Sequence, residues 1–164
     1  MFKAEYINPF IEATQGAFET MVSLPVTPGK PWFRTHDKPS GLDAEVCAVI
    51  GIGGKVRGSV VLGFDYTSAR KVTARFSGVG GDGSNLALAE VCDGVGELVN
   101  MIAGAAKAKM HKHTGSVLSI SVPNVVMGEE QFKIRPTEFP VLVVPFTFDG
   151  GGFFIEVAFE PAAR

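Results

Sequence analysis

Apolar residues in this chain recur with two different periods, and the switches between them lay out its elements. Over residues 8–22, Phe10, Ile11, Thr14, Phe18, Met21 and Val22 stand at helical spacing. Asn8 suits the N-cap and Pro9 the first helical position. That helix is expected to stop before Leu24-Pro25, because proline disfavours a helical conformation in the residue before it. Pro28-Gly29-Lys30-Pro31 reads as a turn or linker, Trp32-Phe33-Arg34 as the start of an extended segment, and Lys38-Pro39-Ser40-Gly41 as another break. Residues 46–52 and 56–64 are two strands joined by Gly53-Gly54-Lys55, a hairpin by its turn chemistry. A helix comes next over Tyr66–Phe76, with Thr67 or Ser68 as its cap, and then a glycine-rich loop over residues 78–83.

The longest helical pattern runs from residue 84 to 111 and ends at Gly115. Residues 117–122 alternate as a strand that stops at Pro123. Residues 139–148 and 153–159 are β-rich runs separated by Asp149-Gly150-Gly151-Gly152, a second hairpin signal. Pro140 and Pro145 place the first of these runs at an edge or a bulge. Strands arriving as hairpins, with helices grouped apart, predict an α+β fold with mostly antiparallel pairing.

The long helix sorts its residues into two faces. At roughly 100° per residue, Asp93, Glu97, Asn100, Gly104 and Lys107 fall in one narrow stripe at i, i+4, i+7, i+11 and i+14. Val95, Leu98, Met101 and Ile102 lie opposite, where a core would want them. A carboxylate, an amide and two glycines (Gly96 at the edge of the stripe, Gly104 within it) let another surface come close. The stripe is therefore a contact face first and a candidate active site second; taken alone, an ordinary solvated helix face is the better explanation of it. The first helix echoes the spacing only faintly, with Asn8, Glu12 and Gln15 among larger residues.

Composition narrows the function classes. The chain has 164 residues, 46% of them hydrophobic and 20% charged, which fits one folded domain rather than disorder. A net charge of −2 supplies no basic field to recruit nucleic acid, and basic residues do not interleave with the phenylalanines in a base-stacking pattern. No apolar run approaches the roughly 20 residues that cross a bilayer. Met1-Phe2-Lys3-Ala4-Glu5 lacks the layout of a signal peptide, so a cytoplasmic protein is expected. Cys47 and Cys92 each sit in an apolar segment and are expected as two buried free thiols in a reducing compartment.

Other motifs resolve to bland readings. Gly78-Val79-Gly80-Gly81-Asp82-Gly83 has the letters of a dinucleotide-binding loop, but a helix rather than a strand precedes it. Gly51-Ile52-Gly53-Gly54-Lys55 lacks the hydroxyl that a phosphate loop places after its lysine, since Val56 stands there. His111 and His113, two apart on a helix, point in divergent directions without a partnering cluster, and read as surface histidines near a helix C-terminus.

The stripe, together with the proline downstream of it, resembles the CheC/CheX family of chemotaxis phosphatases. The family signature is Asp or Ser, three residues, Glu, two residues, Asn, then 22 residues and Pro. Here it reads Asp93, Glu97, Asn100 and, after 22 intervening residues, Pro123. Gly104, Lys107, Ser121-Val122-Pro123, Gly128 and the opening Ile7-Asn8-Pro9-Phe10 also look like that family, which extends the resemblance over nearly the whole chain. One full copy of the signature in a short chain resembles the CheX branch rather than two-copy CheC proteins.

The resemblance implies a single domain over residues 1–164, built as a CheC-like α-β sandwich with the long helix packed on the sheet. It implies a phosphatase whose substrate is a phosphorylated CheY-type response regulator, with Glu97 and Asn100 catalytic and Asp93, Gly104 and Lys107 binding the partner. No cofactor or metal is expected in this chain; Mg2+ is expected in the regulator. It also implies a homodimer, in keeping with the apolar surface of residues 139–148 and 152–159. The alternative is a non-catalytic binding or assembly module like the flagellar-switch proteins, against which the pairing of Glu97 with Asn100 argues. A small-molecule binding domain, resting on glycine content alone, is a weaker third reading.

Overall fold

Helix and strand segregate into two layers. The computed structural model describes residues 4–34, 44–132 and 139–160. In chain order it forms helix α1 (Ala4–Ala17), a π-helical turn (Phe18–Val22), strands β1 (Thr27–Pro28), β2 (Trp32–Arg34), β3 (Ala44–Gly54) and β4 (Gly58–Phe64), helices α2 (Tyr66–Phe76) and α3 (Leu88–Thr114), and strands β5 (Leu118–Ile120), β6 (Asn124–Phe132), β7 (Val141–Phe148) and β8 (Gly151–Phe159). The sheet order is β1-β7-β8-β4-β3-β5, with β2 also paired to β7 and β6 to β3. Every pairing is antiparallel, as the hairpin spacing predicts. Helix α3 lies over the β4-β3 side of the sheet and its outer row, packing against β3, β4, β5 and β6, with α1 and α2 beside it.

Several boundaries differ from the sequence expectation, each for a local reason. Helix α1 starts at Ala4, so Asn8 is not its cap and Pro9 sits inside it. Tyr6 and Ile7 pack against the core, which offsets the one hydrogen bond that Pro9 forfeits. The cap of α2 is Asp65, whose carboxylate accepts from the Ser68 amide at 2.6 Å, rather than Thr67 or Ser68. Helix α3 begins at Leu88 because Ser84 is held in a turn by Asp82, and Leu86 by the Gly83 carbonyl. Gly115 ends it in the left-handed conformation, as expected. Strand β3 runs through Gly53 and Gly54 to pair with β5, which moves the hairpin turn to residues 55–57. The break at Lys38-Pro39-Ser40-Gly41 lies outside the described residues.

Both outer rows of the sheet are broken at a proline. Strand β7 is not an edge strand, because β1 and β2 cover its outer side in two pieces. The gap between those pieces faces Pro145, which has no N–H to offer, while the Pro145 carbonyl accepts from Gly29 at 2.7 Å. On the other side, β5 and β6 run along β3 with a one-residue change of register between them. Ser121 sits at that bulge, its amide donating to the Gly51 carbonyl and its hydroxyl accepting from the Gly51 amide at 2.8 Å. Pro123 therefore interrupts the edge instead of ending it, and β6 is an additional strand that the alternation did not reveal.

The main core fills the space between the helices and one face of the sheet. Phe153 is its hub: Phe18 stacks on it at 4.5 Å and Phe146 at 5.0 Å, and Phe64 leans on it at 5.2 Å. The apolar surface of β7 and β8 is thus largely buried within the chain, so it leaves no surplus to explain a dimer. A smaller cluster on the opposite face contains Cys47, Val61, Val143 and Phe154. Both cysteines are free, but Cys92 is only half-buried. Burial, with Glu156 nearby, pushes the Cys47 thiol up to about 12, which leaves it unreactive.

Glu156 is 2% exposed, ion-paired to Arg34 at 3.4 Å, and has one oxygen without a hydrogen-bond partner. Burial pushes its carboxyl from 4.5 up to about 7, against the opposing pull of Arg34. The folded chain then holds this proton more tightly than the unfolded chain. The stability due to the protonated form is fully present below about pH 4.5 and is lost as pH rises through about 7, on the order of 3 kcal/mol in all. Glu156→Gln should remove that slope: urea midpoints taken between pH 5 and 8 should fall for the parent protein and stay flatter for the variant. Parallel curves would show that Glu156 does not titrate in this range.

Candidate functional site

Helix α3 is anchored by one side and open on the other. Val91, Val95, Leu98, Ile102, Ala106 and Met110 are fully buried. Their spacing commits one face to the core and fixes the rotation of the helix about its axis. Ala103 and Ala106 on α3, with Ala13 and Ala17 on α1, keep the facing surfaces of these two packed helices small. Asp93, Glu97 and Asn100 consequently point to solvent, and Gly104 and Lys107 lie half-buried farther along the same stripe. Met101, expected on the apolar side, is only partly buried.

None of Asp93, Glu97 and Asn100 makes a side-chain hydrogen bond or ion pair among the described residues. Neighbouring polar groups do have internal partners. Lys109 pairs with Glu12 of α1 at 3.6 Å, and Glu90 accepts from the Ala87 amide at the helix start. Glu12, one member of the faint echo on the first helix, is thereby tied to holding helices together. A carboxylate and an amide one turn apart, held rigidly and left unengaged, can pair with a cation and orient a water on another molecule.

The glycines of α3 divide by purpose. A side chain at Gly94 would press on Thr73 at 2.6 Å, and one at Gly96 would meet Val125 of β6 at 3.0 Å. Those two let α2 and the edge strand approach the helix. At Gly104 an added carbon would meet nothing within 4 Å.

Beside Gly104 opens a groove of about 500 Å³. Gly104, Lys107, Ala108 and His111 form its helix wall, and Val117, Leu118 and Ile120 its strand wall. The strand wall has no signal in the sequence. His111 does, because it stands four residues after Lys107 and so continues the stripe. Pro123 is not on the helix but at the bulge between β5 and β6 in the adjacent outer row; farther along β6 the Tyr66 hydroxyl donates to the Gly128 carbonyl at 2.7 Å. The glycine-rich segment is a loop between α2 and α3, as expected. Among the described residues no group of three or more His, Cys, Asp or Glu is placed to hold a metal, and no helix is long and apolar enough to cross a membrane.

Residues 46–147 match the family model described as chemotaxis phosphatase CheX. The chain is 29% identical over 132 residues to the CheY-P phosphatase CheX of Thermotoga maritima, covering 80% of this chain and 81% of that one. Among solved structures it resembles the chemotaxis protein CheX of Vibrio vulnificus, with a TM-score of 0.83, 32% identity and coverage of 96% and 100% of the two chains. It also resembles a CheX–CheY–BeF3–Mg2+ complex from Borrelia burgdorferi, with a TM-score of 0.76, 25% identity and coverage of 96% and 99%.

Because the stripe side chains have no internal partners, Asp93→Ala, Glu97→Ala and Asn100→Ala should each shift the stability of the isolated chain by no more than about 0.5 kcal/mol. Thermal midpoints measured side by side check this. A large loss at any of the three would mean that the residue serves the fold.

Proposed function

Since the chain belongs to the chemotaxis phosphatase CheX family, we propose that it dephosphorylates a CheY-type response regulator in the cytoplasm, with Glu97 and Asn100 as its catalytic pair. The observation that carries this reading is the rigid, exposed and unpartnered Glu97–Asn100 pair on α3. An aspartyl phosphate is already an activated acyl phosphate, so its hydrolysis chiefly needs a water placed in line with the scissile bond. The water oxygen bonds to phosphorus as the bond from phosphorus to the aspartyl oxygen breaks, releasing inorganic phosphate and a free carboxylate.

An amide suits the positioning role. Asn100 accepts a hydrogen bond from the water through Oδ1 and donates through Nδ2, without acting as a base. Glu97, one turn earlier, pairs with a lysine beside the regulator's phosphoryl group and fixes the docking register. Asp93, Gly104 and Lys107 extend the contact along the same stripe. The Mg2+ needed for charge neutralisation belongs to the regulator's own site, and this chain contributes no metal or cofactor. The CheX relative from Borrelia burgdorferi, solved with CheY, BeF3 and Mg2+, supports this assignment of partner.

Two variants separate the roles. Asn100→Ala should slow decay of the phosphorylated regulator by at least about 100-fold while still binding it. Glu97→Ala should lose activity mainly through weaker affinity. Near-normal turnover in Asn100→Ala would sink the water-positioning role. Unchanged affinity with lost catalysis in Glu97→Ala would move that carboxylate into the chemistry.

We further propose a homodimer that pairs through β-structure and leaves both α3 stripes free. The resemblance to the CheX branch supports it, and the outer row formed by β5 and β6 offers an edge for it, with Val122 82% exposed. Light scattering should then give about twice the chain mass of 17.4 kDa. A chain that stays monomeric at high concentration and remains fully active would refute the dimer.

A further inference from the structure

We infer that the groove between the C-terminal half of α3 and β5 is a second docking point for the phosphorylated regulator, taking a segment that carries an apolar side chain and a carboxylate. This rests on the phosphatase reading and adds the element that sets which regulator is accepted. Gly104 is the first argument. Glycine inside a helix is unfavourable relative to alanine, and at Gly104 nothing in the fold demands it, since an added carbon meets open space. Gly94 and Gly96, by contrast, are accounted for by Thr73 and Val125. A glycine with room around it at the mouth of a groove lets another molecule's backbone come close.

Charge is the second argument. The stripe is polarised: Asp93 and Glu97 occupy one end, Asn100 the middle, and Lys107 and His111 the other, with Lys112 beyond. Lys107 and His111 border the groove while Val117, 70% exposed, and Leu118 face them from the strand side. A bound segment therefore meets the Lys107 cation and an imidazole on one wall and hydrocarbon on the other. A regulator presenting a cation toward Glu97 and an acidic, apolar segment toward Lys107 fits in one direction only. Continuity matters as well, because Gly104 lies a single helical turn beyond Asn100, so one docked partner spans both.

The test uses the full chain and a CheY-type regulator loaded with BeF3 and Mg2+ as a stable phosphorylated state. Gly104→Leu fills the groove, and Val117→Asp sets a carboxylate on its apolar lip. Each should weaken binding at least about tenfold, with the thermal midpoint unchanged or raised for Gly104→Leu, and with the kinetic loss falling on KM rather than kcat. Parent-like affinity in both variants, while the parent chain binds and dephosphorylates the regulator, would overturn the groove assignment and leave the phosphatase reading standing. A parent chain that neither binds nor dephosphorylates the regulator would overturn both. If Gly104→Leu, which leaves the β5–β6 row untouched, instead turns a dimer into a monomer, the groove holds a second copy of the chain and the inference fails.

Discussion

Everything that α3 does outward depends on how it is held inward. Val91, Val95, Leu98, Ile102, Ala106 and Met110 are buried without remainder, and burying a large aliphatic side chain is worth roughly 1.5–3 kcal/mol each. Rotating the helix by even one position would bring Asp93 or Glu97 into the apolar layer and expose a leucine or valine. The rotation is therefore fixed by the core. Three polar groups that make no side-chain hydrogen bond or ion pair among the described residues are carried on a helix whose orientation the core fixes, and no loop has to be ordered when a partner arrives.

The same division explains which parts of the molecule were legible in the sequence. The stripe was readable because a 3.6-residue period over 27 residues leaves little ambiguity about faces, and Asp93, Glu97 and Asn100 are found exposed while Lys107 is half-buried. Gly115, the extent of α2 and the Asp149-Gly150 turn were readable because their chemistry is local. Strand β6 was not, because Pro123 looks like a terminator unless the opposing strand is known to slip by one residue there. The start of α1 was misread for a related reason: Asn8-Pro9 has the letters of a helix beginning, and the packing of Tyr6 and Ile7 overrides them. The groove was invisible, since its strand wall is brought to α3 only by pairing with the far end of β3.

The two prolines at the sheet's outer rows are one device used twice. At Pro145 the covering row is split into β1 and β2, and at Pro123 the row beside β3 is split into β5 and β6. Interrupted edges resist adding further strands indiscriminately. On the β5–β6 side the interruption also shapes the site. Ser121 ties the bulge to Gly51, so the strand on each side of it can track α3 closely, with Val125 against Gly96 and Leu118 on the groove.

A catalyst that supplies only a carboxylate and an amide has no need of an enclosed pocket. On the proposed reading, the metal and the reactive phosphoryl group arrive on the partner, and water exclusion is completed only when the two proteins meet. Convex presentation on a helix is then an advantage, because a concave site could not reach into another protein's own active site. It carries a consequence for recognition: a convex stripe has few walls with which to discriminate among similar regulators. The concavity in contact with the stripe is the groove beside Gly104, and it lies at the end where the charge has changed sign. If the proposed roles hold, selection of partner and chemistry on its phosphate sit on one helix, one turn apart, and share the orientation that the buried face imposes.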